Sequence, residues 1–368
     1  MLPSLHGGGA ERAAVQVLNA LDPAAWHRSM YLFEPTGPYL SDLDPAIALT
    51  SGTSSASRAN RWSALRRYLS ERRPDIVVAF LSYLSVLTAA RAARAGSRVV
   101  FNLQTPMSSF LTDADYSWRR PAHRRWFSLA TRIGYRLADG IVATSNGVRD
   151  DLVQAFGVPL DRIRVVHNPV DLDAVRAAAA EPIDADVAAR WQSPVIVAAG
   201  RLADAKNYPL LIEAMARLRA TVPACLFILG AGDLEAQLRD HIARLGLGDA
   251  VALCGFQRNP WKYIARADVF VLTSRYEGFG NVLVEAMACG VPVVATTSPG
   301  TKEIVSTEDN GLLVDEHDAR SVAAALERVL TDNGLRRRLA EGARRAAEQF
   351  ALPTIAAAYE QALTEVVS

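Results

Sequence analysis

Cysteine is scarce: Cys225, Cys254 and Cys289 are the only three in 368 residues. Their scattered spacing excludes a disulfide framework or a thiolate metal site and fits a reducing compartment. Lysine is equally rare, with Lys206, Lys262 and Lys302 set against 37 arginines, so a lysine at a chemically sensible position is less casual here than in most chains. No run approaches the ~20 uninterrupted apolar residues of a membrane span. Residues 76–90 come nearest, but Ser82, Tyr83, Ser85 and Thr88 interrupt them, and the β-branched start reads as a buried strand leading into a helix. The opening MLPSLHGGGAER has no basic segment ahead of an apolar core, so it does not read as a secretory signal. A cytoplasmic location is expected.

What is present is ample for folding. Hydrophobic residues make up 50 % and charged residues 21 %, which excludes disorder. The length exceeds the ~250 to 300 residues at which one core stops growing, so two domains are expected. The net charge of +1 hides a split: residues 1–170 hold 20 Arg and 13 Asp or Glu, giving +7, and the remainder carries −6. A basic first half suits an anionic partner such as a phosphorylated acceptor or a membrane surface. Segments 58–73 and 116–136 interleave arginine with Trp, Phe and Tyr, a pattern that fits the headgroup level of an anionic bilayer and equally fits helices covering a sheet. Without a recognised module, nucleic acid is not indicated.

Short β-branched runs recur with helix-period segments between them: 75–80, 99–103, 140–145 and 163–168, then 195–200, 225–230, 251–255, 268–274, 291–296 and 311–315. Strand alternating with helix predicts an α/β fold with parallel sheets covered on both faces. The rhythm breaks between Asn168 and Pro194, an Ala-rich stretch read as linker or helix. The expected organisation is two doubly wound, Rossmann-like domains, 1–170 and 171–350. A final helix, 351–368, packs back toward the first. Ligands of such sheets bind beyond the carboxyl ends of the strands, so the cleft between the domains is the expected site.

The most informative stretch is SRYEGFGNVLVEAMACGVPVVAT, residues 274–296. A strand ends near Ser274, a loop carries Glu277, and Gly278-Phe279-Gly280 lets the backbone turn tightly. Asn281 reads as the N-cap of a helix from Val282 to Cys289. Amides at that helix start suit a diphosphate, and Glu285, about one turn along, can accept hydrogen bonds from ribose hydroxyls. A second segment, VIVAAGRLADAKNYPLLIEAM, places Arg201 and Lys206 after a strand that ends at Gly200. A departing diphosphate needs its charge neutralised, and a fixed pair of cations does this without a metal.

These two segments, with GGGAER near the start, closely resemble the family 4 retaining glycosyltransferases of the GT-B fold, over nearly the whole chain. The resemblance implies that Glu277 meets the donor sugar hydroxyls, Glu285 the ribose, and Arg201 with Lys206 the diphosphate. Gly278, Phe279, Gly280, Asn281 and Val282 match the phosphate turn, and the loop at Phe256 the segment that meets the nucleobase. Gly8 and Gly9 are similar to an N-terminal loop that reaches the donor phosphate and the acceptor. Two departures stand out. Ahead of the glycine loop the chain offers only MLPS as a first strand, which predicts a sheet short of that strand, and Gln104 occupies the neighbourhood where many members place a histidine.

The resulting expectation is metal-independent, retaining transfer of a sugar from a nucleotide-sugar donor, with a UDP-sugar favoured. The acceptor is a hydroxyl of a glycan or lipid-linked glycan, as in polysaccharide or lipopolysaccharide biosynthesis, with peripheral contact to an anionic membrane surface. No cofactor is called for. The Asp-x-Asp pairs at 42/44, 113/115, 171/173 and 184/186 follow no suitable strand end. Gly230-Ala231-Gly232 lacks the third glycine of a dinucleotide fingerprint. Rival readings are a nucleotide-sugar epimerase on the same scaffold and a catalytically silent nucleotide-sugar binder.

Overall fold

The computed structural model describes residues 1–6, 8–52, 58–80, 96–109, 129, 131–192, 194–315 and 318–367, the side chains of 58–62 excepted. Gly7, the apolar run beyond Phe80, Asp113 with Asp115, and residues 116–128 of the aromatic-basic segment lie outside them. The chain divides into two units, Met1–Pro169 with Leu352–Ser368, and Val170–Ala351.

The first unit holds a four-stranded parallel sheet in the order β3 (Ile76–Phe80), β4 (Arg98–Leu103), β5 (Gly140–Ala143), β6 (Ile163–Val165). A parallel pair, β1 (Ser29–Leu32) and β2 (Ala48–Ser51), stands beside it. Those two strands escape the sequence reading because SMYL and ALTS carry no β-branched run and β2 is half exposed along its length. The lane expected to be vacant is filled. Leu2 donates to the Tyr31 carbonyl and accepts from the Phe33 amide, the Phe80 amide donates to the Met1 carbonyl, and Leu2 is fully buried. Residues 1–3 thus stitch β1 to β3. The helix Leu352–Val367 closes this unit by packing Ile355, Tyr359 and Leu363 on Val17, Leu21, Val100 and Val142.

The second unit is a six-stranded parallel sheet, ordered β12 (Gly311–Val314), β11 (Val293–Thr296), β10 (Val269–Leu272), β7 (Val195–Ala199), β8 (Cys225–Leu229), β9 (Val251–Leu253). All five residues of β7 are buried, as expected of a strand covered on both faces. The period of two sorts them: Ile196 and Ala198 face the helices Tyr208–Leu218 and Ala319–Thr331, while Val195, Val197 and Ala199 share the other face with Phe270 and cluster with Met287 and Phe279. Between Asn168 and Pro194 helix prevails over linker. Leu172–Ala179 is helical, Leu172 and Val175 are buried in this unit's core, and Trp191 stacks on Phe227 at 4.6 Å. Among the described residues no helix is long and apolar enough to cross a membrane.

Candidate functional site

β7 and β10 lie side by side, yet the chain proceeds from β7 outward through β8 and β9 on one flank and from β10 through β11 and β12 on the other. Such a reversal opens a crevice beyond the carboxyl ends of the two central strands, where doubly wound sheets bind ligands. The loops leaving these strands carry Arg201 and Lys206 on one side and Glu277 to Gly280 on the other.

Lys206 closes a single turn, Asp204–Lys206, before the helix Tyr208–Leu218. The turn is sewn to the β10 loop: Thr273 Oγ1 donates to the Lys206 carbonyl at 3.1 Å and the Arg275 amide to the Ala205 carbonyl at 2.9 Å. Across this seam Lys206 Nζ donates to Glu277 Oε1 at 2.5 Å, and Ser274 Oγ donates to the same oxygen at 2.6 Å. The two side chains are 22 % and 13 % exposed, so the pair is only partly screened by solvent. Glu277 Oε2 has no hydrogen-bond partner among the described residues, and the exposed Arg201 has no acidic one. Beneath them Tyr208 donates to the Gly200 carbonyl at 3.0 Å. Burial, with the Glu277 charge second, pushes this phenol well above its usual range, so it stays a neutral donor.

The helix after the glycine turn runs Asn281–Ala288, and its cap is Gly280 in a left-handed conformation, one residue earlier than expected; Asn281 is its first residue. The glycine turn also holds Phe279. Its ring is buried edge-on to Phe350 at 5.2 Å, so the ring belongs to the core and only the main chain can serve a ligand. Val282 is half-buried against the same cluster. Glu285 is not an exposed helix residue: it is 5 % exposed and accepts from Trp261 Nε1 at 2.8 Å. Burial, with the Glu285 charge second, pushes the nearby Cys289 thiol up to about 12 against the opposing Arg176. Burial likewise pushes Cys254 up to about 11. Both thiols are therefore protonated near neutrality and poor nucleophiles. Phe256 is 50 % exposed on the loop after β9.

Three neighbours escaped the sequence reading. Ser274 carried a faint signal, three residues ahead of Glu277. Trp261 carried none, since its partner lies 24 residues away. Gly300 supports the loop from behind: a Cβ there would lie 2.8 Å from the Glu277 carbonyl oxygen and 2.9 Å from that of Gly278. The pair Gly230 and Gly232 also gains a role, because the Leu202 amide donates to the Ala231 carbonyl and the Leu234 amide to the Leu202 carbonyl. These glycines let the β7 and β8 loops touch.

The remaining predicted residues lie in the first unit. Gly8 caps and Gly9 opens the helix Gly9–Ala20. The Gln104 amide is engaged: its Nε2 donates to Asn168 Oδ1 at 3.0 Å and to Asn102 Oδ1 at 2.5 Å, and its Oε1 accepts from Asn168 Nδ2 at 2.6 Å. Asn102 in turn donates to the Tyr359 hydroxyl. His167 Nδ1 lies 2.9 Å from the Thr144 carbonyl, an acceptor only, so that nitrogen carries the proton. Of the Asp-x-Asp pairs, Asp44 binds Arg28, Asp171 caps the helix Leu172–Ala179, and Asp184 binds Lys262 and Tyr263, whose hydrogen bonds lower its carboxyl pKa. Among the described residues no group of three or more His, Cys, Asp or Glu could hold a metal ion.

Residues 181–346 match the model of Glycosyl transferases group 1, and residues 7–174 that of Glycosyltransferase Family 4. An Anabaena protein, HepE, solved in complex with UDP-glucose, superposes with a TM-score of 0.83 at 22 % identity, over 99 % of both chains, which establishes the GT-B architecture. The chain belongs to the family 4 glycosyltransferases. One relative is the Campylobacter jejuni N-acetylgalactosamine-N,N'-diacetylbacillosaminyl-diphospho-undecaprenol 4-alpha-N-acetylgalactosaminyltransferase. It is 36 % identical over 217 residues, which are 59 % of this chain and 57 % of that one. Another is the lipopolysaccharide core biosynthesis glycosyltransferase LpsE of Rhizobium meliloti, 36 % identical over 235 residues, 63 % of this chain and 66 % of that one. The matches thus span well under the full length of either relative.

Proposed function

We propose that this chain transfers a sugar from a nucleoside diphosphate sugar, with UDP as the favoured nucleotide, to a hydroxyl of a glycan or lipid-linked glycan, with retention at the anomeric carbon. The observation that carries this reading is the 2.5 Å contact of Lys206 Nζ with Glu277 Oε1. It joins two loops, 71 residues apart, at the reversal of strand order and next to the glycine turn that opens the helix Asn281–Ala288. A cation, a carboxylate and a row of first-turn amides there meet the needs of a sugar diphosphate. Glu277 Oε2 accepts from sugar hydroxyls, Lys206 and Arg201 neutralise the diphosphate, and the amides at Gly280, Asn281 and Val282 cradle it. Glu285 accepts from the ribose, and Phe256 offers the base an aromatic face. As the bond from anomeric carbon to diphosphate oxygen breaks, its electron pair leaves with the diphosphate. The acceptor oxygen bonds the carbon on the same face, and the departing phosphate oxygen takes the acceptor proton. Charge stabilisation is then the dominant contribution of the protein, and no enzymic nucleophile is required.

The HepE complex contains UDP-glucose, and the two relatives are named for a diphospho-undecaprenol-linked acceptor and for lipopolysaccharide core. These names favour a uridine donor and a lipid-linked or lipopolysaccharide acceptor, and the proposal sets the transfer at the inner, cytoplasmic membrane face. A thermal-shift panel of UDP, GDP and ADP with their sugar conjugates, with and without magnesium, tests the donor. Linkage raises the melting temperature for whichever nucleotide binds the folded state. Stabilisation by UDP compounds, unchanged by magnesium and absent in Glu285→Ala, is the expected result; no stabilisation by any nucleotide sinks the reading.

A peripheral membrane contact forms part of the same proposal. Leu129, Ile133 and Leu137, spaced one helical turn apart, are 58 %, 48 % and 44 % exposed, and Arg132 and Arg136 flank them. Sedimentation with anionic vesicles at low salt, released by ~0.5 M salt as screening shortens the Debye length, is expected. Absence of sedimentation removes the membrane contact and leaves the transfer reaction standing.

A further inference from the structure

We infer that Trp261 is the positioning residue of the nucleotide site, its indole N–H fixing the Glu285 carboxylate for the ribose diol. This inference rests on the donor-site reading above. Glu285 sits on the second turn of the helix Asn281–Ala288, 5 % exposed. A carboxylate on a flexible side chain gains selectivity for a pair of vicinal hydroxyls only if its plane is held, because each lost rotamer otherwise costs binding energy. Trp261 Nε1 reaches Glu285 Oε2 at 2.8 Å, a charge-assisted contact with a rigid donor of fixed direction.

The donor itself is anchored. Asn259 Oδ1 accepts from the Trp261 amide at 3.2 Å and from the Lys262 amide at 3.3 Å, capping the short helix Trp261–Ile264. Asn259 Nδ2 donates to the Ala178 carbonyl at 2.8 Å. Lys262 and Tyr263, the next two residues, both grip Asp184, at 2.6 and 2.5 Å. Upstream, the Gly230 amide donates to the Gly255 carbonyl at 2.7 Å and Gln257 Nε2 to the Cys254 carbonyl at 2.8 Å. The segment from Gly255 to Tyr263 is thus fastened at both ends. It brings the exposed Phe256 ring and the Trp261 indole to the nucleotide as one piece, so base platform and ribose carboxylate share a single rigid support.

The test compares UDP with 2'-deoxy-UDP and 3'-deoxy-UDP by calorimetry on the full chain, in the wild type, Trp261→Phe and Glu285→Gln. Phenylalanine keeps an aromatic ring and removes the N–H. The expected result is a Kd for UDP raised about tenfold in Trp261→Phe, with far smaller change for the deoxy ligands, so that the wild-type preference for the intact ribose collapses toward one. Equal weakening of all three ligands in Trp261→Phe assigns the indole a packing role only and overturns the inference. So does an unaltered preference in Trp261→Phe when Glu285→Gln has lost it. If the wild type binds no nucleotide, the donor-site reading itself has failed, and the inference falls with it. Melting curves of both variants confirm that the ligand comparison is made on folded protein.

Discussion

Lys206→Ala is expected to lower kcat/KM for sugar transfer by about 10²- to 10³-fold, the usual cost of removing one preorganised group that meets developing charge in a water-poor site. The argument is specific to this lysine. Its ammonium reaches 2.5 Å from Glu277 on a turn whose main chain is bonded to the β10 loop at two points, so the charge is held in place before the leaving group develops. The partner carboxylate retains Ser274 Oγ at 2.6 Å, which limits the harm done to the fold. Lys206→Ala should melt close to the wild type, and a steady-state assay with a UDP-sugar donor reads the loss. A fall smaller than tenfold would mean that the diphosphate charge is met elsewhere. Lys206→Arg is expected to recover only part of the rate, since a planar guanidinium cannot occupy the place of a compact ammonium.

Gly230→Ala should be the most damaging single methyl group in the second unit's ligand loops. Its φ is +149°, and the added Cβ would stand 1.9 Å from the Gly200 carbonyl oxygen. That carbonyl is fixed by Tyr208, and the Gly230 amide is tied to Gly255 at 2.7 Å. Neither loop can yield without losing hydrogen bonds that are otherwise satisfied. Strained backbone and overpacking each cost ~1 to 3 kcal/mol, so a loss of about 3 to 5 kcal/mol and a melting temperature lower by ~10 °C are expected. Transfer activity should drop with it, because Arg201 and Lys206 hang from the displaced loop. A variant melting within ~2 °C of the wild type would show that the contact between the β7 and β8 loops is not a rigid one.

Much of the fold was legible in the sequence for a simple reason: strands buried on both faces must be apolar at every position, and VIVAA or VFVL stand out against polar surroundings. β1 and β2 lacked that property and were missed. The lane expected to be empty was misjudged because three residues suffice to bridge β1 and β3, and no periodicity can reveal so short a segment. Within the candidate site, Glu277, Glu285 and Lys206 were visible because chemistry dictated residue type and local spacing. Their supports were not. Trp261 and Gly300 meet the site through tertiary contacts with residues 24 and 23 positions away, and a glycine chosen for the space it leaves has no local signature. Phe279 stands between two glycines, and no local pattern shows that its ring serves the core. Gln104 was read by its chemistry alone, while the amide pair it forms with Asn168 depends on the end of β4 meeting the end of β6.

The first unit is discontinuous in the chain, and the helix that closes it is synthesised only after the whole of the second unit. Until residues 352–367 emerge, the apolar side chains of Val17, Leu21, Val100 and Val142 have no cover, although everything the second unit needs has already been made. Synthesis therefore imposes an order in which the second unit consolidates while the first waits with an open hydrophobic face. A ribosome stalled shortly before Leu352 would display that face, and with it the interval in which the nascent protein is most exposed to aggregation or chaperone capture.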